Sequence, residues 1–182
     1  AIDRHVARSL YLGIMTDTGS FRFPSVSAKT HQILADLLHT GIGHWQIHQD
    51  VYDNNRIDQL QLRGYAISEK LVLLNKLHTA LPVGYISLTK EELSRFNYKT
   101  GDTEGLVNVI LSLEGIKVGV LIQEKSDGIK LSFRSKDGVF VNELAKQHFN
   151  GGGHKYAAGG ISFDSMEVTI SRILSLFETL TF

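Results

Sequence analysis

The chain has no cysteine in 182 residues. That excludes a disulfide framework and any thiolate metal site. It fits a reducing cytoplasm, where the protein is expected. Net charge is also absent, because 19 Lys and Arg balance 19 Asp and Glu. A broad basic face for long duplex nucleic acid is therefore not expected. A small anion site, made by one or two cations and backbone N–H groups, remains open. No apolar run approaches the ~18 residues needed to span a bilayer, so no membrane association is expected. There is no internal repeat and no low-complexity tail. Proline occurs only at positions 24 and 82, and both fall where the texture of the sequence changes.

What remains is an ordinary globular composition. Hydrophobic residues make up 42% and charged residues 21%, enough apolar material for a core. The length suits one medium domain or two small ones. The opening stretch, "AIDRHVARSL", is already in a helical pattern and has no initiator Met, as expected of a chain cut from something longer.

Ile2, Val6, Leu10 and Ile14 recur at helical spacing and predict a helix over 3–15. It gives way to "TDTGSFRFPS", a stretch of turn formers. A second helix follows, with Ser27 as its cap and Gly41 as its stop. "HWQIHQDVYDN" reads as a short helix or turn. Residues 56–79 predict one long connecting helix ahead of Pro82. Beyond it, "VGYISL" is a strand candidate. Thr89 and Glu92 have capping-box spacing, and a helix is expected over 103–113. "KVGVLIQE" and "IKLSFRS" flank "KSDG" as a hairpin. "VFVNELAKQHF" is helical, "GGISF" is a short strand, and 166–177 closes the chain as a helix. The fold class is α/β: a helical part over 1–55, a connecting helix over 56–82, and a compact α+β domain with a mixed sheet over 83–182.

Three places carry groups suited to chemistry. Gly151, Gly152 and Gly153 follow a helix and precede His154. They match neither a P-loop nor a G-x-G-x-x-G turn. Glycines let a ligand approach the main chain closely, and consecutive N–H groups in a turn can converge on an anion. His154 can donate to a phosphate, and Ala157, Ala158 and Gly159 leave access open. The alternative is a plain connector with a surface histidine. In "LSFRSK", strand alternation sends Arg134 and Ser132 to one face and Ser135 to the other. The Arg134 guanidinium suits a phosphate through two parallel charge-assisted bonds. Asp17 stands where a helix yields to a turn. It can ligate a hard cation such as Mn²⁺ or Mg²⁺, or close an Asx-turn on the Gly19 N–H. His44 and His48 share a helix face at i, i+4, but Trp45 stands where a zinc protease motif needs Glu.

Together, "LYLGIMTDTGSFRF" and "GDTEGLVNVILSLEGIKVGVLIQE…IKLSFRSKDGVFVNELAKQHFNGGGHKYAAGG" resemble the DHH phosphoesterases. The first stretch resembles their last metal-binding motif. The second resembles the DHH-associated C-terminal domain. Within the family, the sequence is most similar to the nanoRNase type, which degrades short oligoribonucleotides, dephosphorylates pAp (adenosine 3′,5′-bisphosphate) and is often labelled exopolyphosphatase-related. The resemblance implies a phosphoesterase with two Mn²⁺ (or Mg²⁺) ions acting on short single-stranded RNA, pAp or another nucleotide. Asp17 is implied as catalytic metal ligand. Arg134, Ser135, Gly151, Gly152, Gly153 and His154 are implied as substrate-binding residues, in a cleft between two domains. A homodimer is common in such proteins. The family's D-x-D element and its Asp-His-His triplet are absent, so an upstream DHH half is expected to hold the other ligands. The 182 residues by themselves are expected to be close to inactive. A cyclic-dinucleotide phosphodiesterase and a non-catalytic nucleic-acid-binding module, like that attached to alanyl-tRNA synthetases, are the other readings.

Overall fold

The computed structural model describes residues 2–74 and 81–179. The chain divides into two compact units, Ala1–Asn55 and Arg56–Phe182. Among the described residues no helix is long and apolar enough to cross a membrane.

The first unit holds three helices, α1 (Arg4–Asp17), α2 (Ala28–His39) and α3 (His44–Tyr52). Asp3 caps α1 by accepting from the His5 and Val6 N–H groups, and Ser27 forms a capping box with Thr30 on α2. Such caps satisfy donors that a helix leaves orphaned in its first turn. One face of each helix feeds a common core of Ala7, Tyr11, Met15, Leu34, Leu37, Ile42 and Ile47.

Among the described residues, the second unit is built on six strands in the order β1-β2-β3-β4-β6-β5. They are β1 (Leu71–Leu74), β2 (Val83–Leu88), β3 (Val118–Lys125), β4 (Gly128–Ser135), β5 (Gly152–His154) and β6 (Ala157–Ser162). Of these described strands, β2 and β3 pair in parallel and the other neighbours pair antiparallel. A parallel pair needs a long crossover, and α5 (Lys90–Arg95) and α6 (Leu106–Ser112) supply it. Thr89 and Glu92 form the expected capping box on α5. The Glu92 carboxylate also accepts from the Tyr65 hydroxyl at 2.6 Å and pairs with Lys70 at 2.7 Å. The chain closes with α7 (Val141–His148) and α8 (Met166–Thr179).

Two departures from the sequence reading matter. The helix expected over 56–79 ends far earlier, as α4 (Ile57–Ser68), and β1 follows it; residues 75–79 lie outside the described residues. Leu62 and Ala66 of α4 pack into a core with Ile86, Leu88 and Leu121, so this segment belongs to the second unit and does not stand apart as a connector. The helix expected from Thr103 begins at Leu106, because Gly105 has φ +85° and the Thr103 hydroxyl accepts from Gln123 Nε2 at 2.9 Å.

Alternation along the strands gives the sheet two differently covered faces. Val118, Val120, Ile122, Ile129, Leu131 and Phe133 point to one, where α7 and α8 cover them through Leu144, Phe149, Ile173 and Phe177. The other face carries α4, α5 and α6, through Leu62, Leu93, Leu106 and Ile110, over β2 and β3. Gly119 lets α6 lie on β3, since a Cβ there would come within 2.9 Å of the Val107 carbonyl oxygen. That second core includes no residue of β4, β6 or β5.

Candidate functional site

Strand register sets out the open part of this face. Pairing puts Gly119, Arg134, Ala157 and His154 in one row across β3, β4, β6 and β5. The next row reads Leu121, Ser132, Gly159 and Gly152. Residues directly opposite each other share a face. The small side chain of Ala157 therefore stands between the cation Arg134 and the imidazole His154. Two strand spacings separate the outer two backbones, roughly 10 Å.

Arg134 is half-buried. Its Nη1 donates to the Phe133 carbonyl at 2.9 Å, and no carboxylate within ion-pair distance answers it among the described residues. Burial pushes the guanidinium below its ordinary pKa, while the charge of Glu104 acts the other way. A partly desolvated cation with spare donors gains more from an arriving anion than a fully solvated one does. His154 is exposed, and its ring has no hydrogen-bond partner among the described residues.

The glycines separate into two groups. Three are fixed by packing. A Cβ on Gly151 would lie 2.0 Å from the Gly159 carbonyl oxygen, one on Gly153 2.5 Å from that of Ala157, and one on Gly160 2.6 Å from that of Phe149. The other two have room: a Cβ on Gly152 meets nothing within 4 Å, and one on Gly159 makes only ordinary contact with the Leu131 carbonyl. Neither has a positive φ. Gly152 and Gly159 are paired neighbours beside Ser132, in the row next to Arg134 and His154. Bare backbone there serves neither packing nor an unusual dihedral angle, and it leaves a floor open to a ligand.

The glycine run is not the loop that the sequence suggested. Gly152 and Gly153 open the edge strand β5, and successive N–H groups of an extended strand point to opposite sides. They do not converge into an anion nest. Ser135, expected among the binding residues, is buried on the opposite face of β4, and its hydroxyl donates to the Val139 carbonyl at 2.6 Å. It holds the turn after β4 and does not reach the open face. Lys136 donates to the Leu111 carbonyl at 3.0 Å, near the end of α6. Sequence reasoning missed Gly159 as a partner of Gly152; only the register reveals it.

Asp17 lies in the first unit, at the end of α1. The turn after it is unusual. Gly19, Ser20 and Phe21 have φ of +56°, +59° and +66°, a left-handed run that costs about 1–3 kcal/mol for each non-glycine residue. Thr18 holds it, donating to the Ile14 carbonyl at 2.5 Å and accepting from the Phe21 N–H at 3.1 Å. The Ser20 and Tyr52 hydroxyls lie 2.5 Å apart. The Gly19 N–H goes to the Thr16 carbonyl at 3.3 Å, so the Asx-turn alternative for Asp17 is not what forms. The Asp17 carboxylate is exposed and has no partner among the described residues.

Three His, Asp or Glu side chains that could share a metal ion do not come together among the described residues. His44 and His48 have ring centroids 6.5 Å apart, and His48 Nε2 sits 3.1 Å from the Tyr11 hydroxyl. Asp17 has the chemistry of a hard-cation ligand, but one carboxylate does not fit a two-metal centre.

Residues 82–179 match the DHHA1 domain. The chain is 29% identical, over 98% of its length, to the bifunctional oligoribonuclease and PAP phosphatase NrnA of Bacillus subtilis, of which it covers 54%. It is 30% identical, over 88% of its length, to the probable bifunctional oligoribonuclease and PAP phosphatase NrnA of Streptococcus mutans, covering 49% of that protein. The crystal structure of an exopolyphosphatase-related protein from Bacteroides fragilis aligns with 97% of the chain at a TM-score of 0.88 and 35% identity, with 52% of that protein covered. The chain thus spans about half the length of the curated relatives it matches.

Proposed function

This chain belongs to the DHHA1 domain family, and on that premise we propose that it is the substrate-holding part of a metal-dependent phosphoesterase that hydrolyses short oligoribonucleotides and pAp. The observation that carries the reading is the pair of glycines without a packing reason, Gly152 and Gly159, beside the cation Arg134 and the imidazole of His154, which have no ion-pair or ring hydrogen-bond partner among the described residues. In this reading Arg134 grips a phosphate with its planar fork, His154 donates to a second oxygen, and the glycine floor admits the sugar-phosphate backbone. The similarity to oligoribonuclease and PAP phosphatase proteins supports that substrate class.

Asp17 is proposed as one metal ligand of the complete protein, with Mn²⁺ or Mg²⁺ as the cation. A metal supplies Lewis-acid stabilisation and a nucleophilic water to such reactions. The remaining ligands are proposed to lie outside these 182 residues, so the chain by itself turns substrate over little or not at all.

A glycine series tests the reading on the chain itself, with EDTA present so that only binding is measured. Gly152→Val places a side chain where there is room and where a β-branched residue suits a strand. The unfolding temperature is expected to stay unchanged while pAp affinity falls by roughly 10-fold or more, equivalent to about 1.4 kcal/mol. Gly151→Ala, whose Cβ would collide with the Gly159 carbonyl oxygen, is expected to cost about 1–3 kcal/mol of stability as overpacking does. Unchanged pAp affinity in a folded Gly152→Val variant removes this face as the substrate site.

A further inference from the structure

We infer that Lys130 is a second phosphate-holding residue of the open face, placed to take the next phosphate of an oligoribonucleotide whose first phosphate lies at Arg134 and His154. The inference rests on the phosphate reading above and adds the direction in which the RNA runs. Strand β4 sets the arrangement. Lys130, Ser132 and Arg134 are alternate residues of that strand, so all three stand on one face. Ile129, Leu131 and Phe133 take the other, under α7 and α8. Pairing puts Lys130 in a third row, between Gln123 of β3 and Ile161 of β6. Four strand residues separate it from Arg134, roughly 13 Å. Side chains stand nearly perpendicular to a sheet, so the two cations do not close on a single phosphate.

Three features suit the strip between these cations to an anionic chain. It is open. Lys130 is exposed, and Ser132, Gly159 and Ile161 are partly so. Gln123, in the row of Lys130, is by contrast buried and donates to the Thr103 hydroxyl at 2.9 Å, which closes the strip on the β3 side. Its floor is small and polar, because the Ser132 hydroxyl lies midway and Gly159 is its paired neighbour on β6. It also carries charge of one sign. Strands β4, β5 and β6 contain no Asp or Glu, although the whole chain balances 19 acidic against 19 basic residues. Their basic side chains are Lys130, Arg134 and His154, and the register puts all three on the open face. Glu124, the one carboxylate of β3, shares the row of Ile129 on the covered face. Asp127, in the turn before β4, makes no ion pair with Lys130, and no other carboxylate answers it among the described residues. A Lys ammonium is a point charge that suits a phosphate without demanding a fixed approach. The ligand class is accordingly a nucleotide chain with at least two phosphates. A mononucleotide product holds only one, so it loses the Lys130 contact and leaves more readily.

The test compares two ligands on the 182-residue chain with EDTA present: AMP, and the 5′-phosphorylated dinucleotide pApA. The wild-type chain is expected to bind pApA more tightly than AMP. Lys130→Gln is expected to weaken pApA binding by about 5- to 10-fold, since a charge pair at an exposed ammonium stays partly screened. The same variant leaves AMP affinity and the unfolding temperature unchanged. Lys130→Arg, which keeps the charge, retains most of the pApA affinity. Lys146→Gln, at an exposed lysine of α7 on the covered side of the sheet, changes net charge equally and leaves both affinities as they were. Unchanged pApA affinity in Lys130→Gln overturns the second site. An equal fall for AMP and pApA also overturns it, because Lys130 then acts at the first phosphate or through the fold. So does an equal fall for pApA in Lys146→Gln, which makes net charge the cause. If neither ligand binds the wild-type chain, the phosphate reading itself fails, and that result is distinct from the others.

Discussion

Asp17→Ala in the complete protein reduces turnover by more than about 100-fold and leaves the unfolding temperature where it was. Residues that merely orient metal ligands cost about 10- to 100-fold when removed, and a ligand itself stands above that range. The second half of the expectation comes from the turn. Thr18 and the Thr16 carbonyl hold the left-handed run over Gly19, Ser20 and Phe21, and the Asp17 carboxylate takes no part in it. An exposed carboxylate without a partner contributes little to the fold, so its loss should be felt only in chemistry. Turnover and thermal melting, measured on the same preparation with Mn²⁺ titrated, check both halves. Full activity in the variant would make Asp17 a bystander. A large fall in unfolding temperature would make it a folding residue.

Arg134→Ala should cost more affinity than any other single change on the open face. Each hydrogen bond to a charged group contributes about 1.5–3 kcal/mol, so a bidentate grip is worth roughly 3–6 kcal/mol, or about two to four orders of magnitude in Kd. His154→Ala, which removes one such bond, should weaken pAp binding by about 10- to 100-fold. Arg134→Lys restores the charge without the planar fork, and so should recover only part of the loss. Arg134 has no ion-pair partner within the described residues. Removing it orphans no buried carboxylate, and the variant should fold. Calorimetric titration of pAp into the three variants ranks them. Equal affinities for Arg134→Lys and wild type would reduce Arg134 to a point charge, and an unchanged affinity for Arg134→Ala would take it out of the site.

What the sequence revealed of this arrangement was its local part. The capping box at Thr89 and Glu92 depends on a three-residue spacing and formed as read. The strand alternation that separates Arg134 from Ser135 was legible for the same reason. The misreadings came from pairing across the sheet. Residues 71–74 carry apolar side chains that also suit a helix, but register against β2, with Leu71 opposite Ile86, makes them an edge strand. The glycines of β5 have poor strand propensity. Pairing with β6 and the close approach of the Gly159 carbonyl to Gly151 hold them extended all the same. The row that joins Arg134, Ala157 and His154 crosses three strands, and no local pattern encodes it. The fate of the Ser135 hydroxyl, taken up by Val139, is likewise a tertiary fact.

Amide chemical-shift mapping of pAp on the isotopically labelled 182-residue chain, with EDTA present, addresses the central claim most directly. The account predicts saturable shifts concentrated at Ser132, Arg134, Gly152, His154, Ala157 and Gly159, with the packing-locked core of the sheet little changed. Shifts confined to residues 2–55, or no shifts at millimolar pAp, would contradict it.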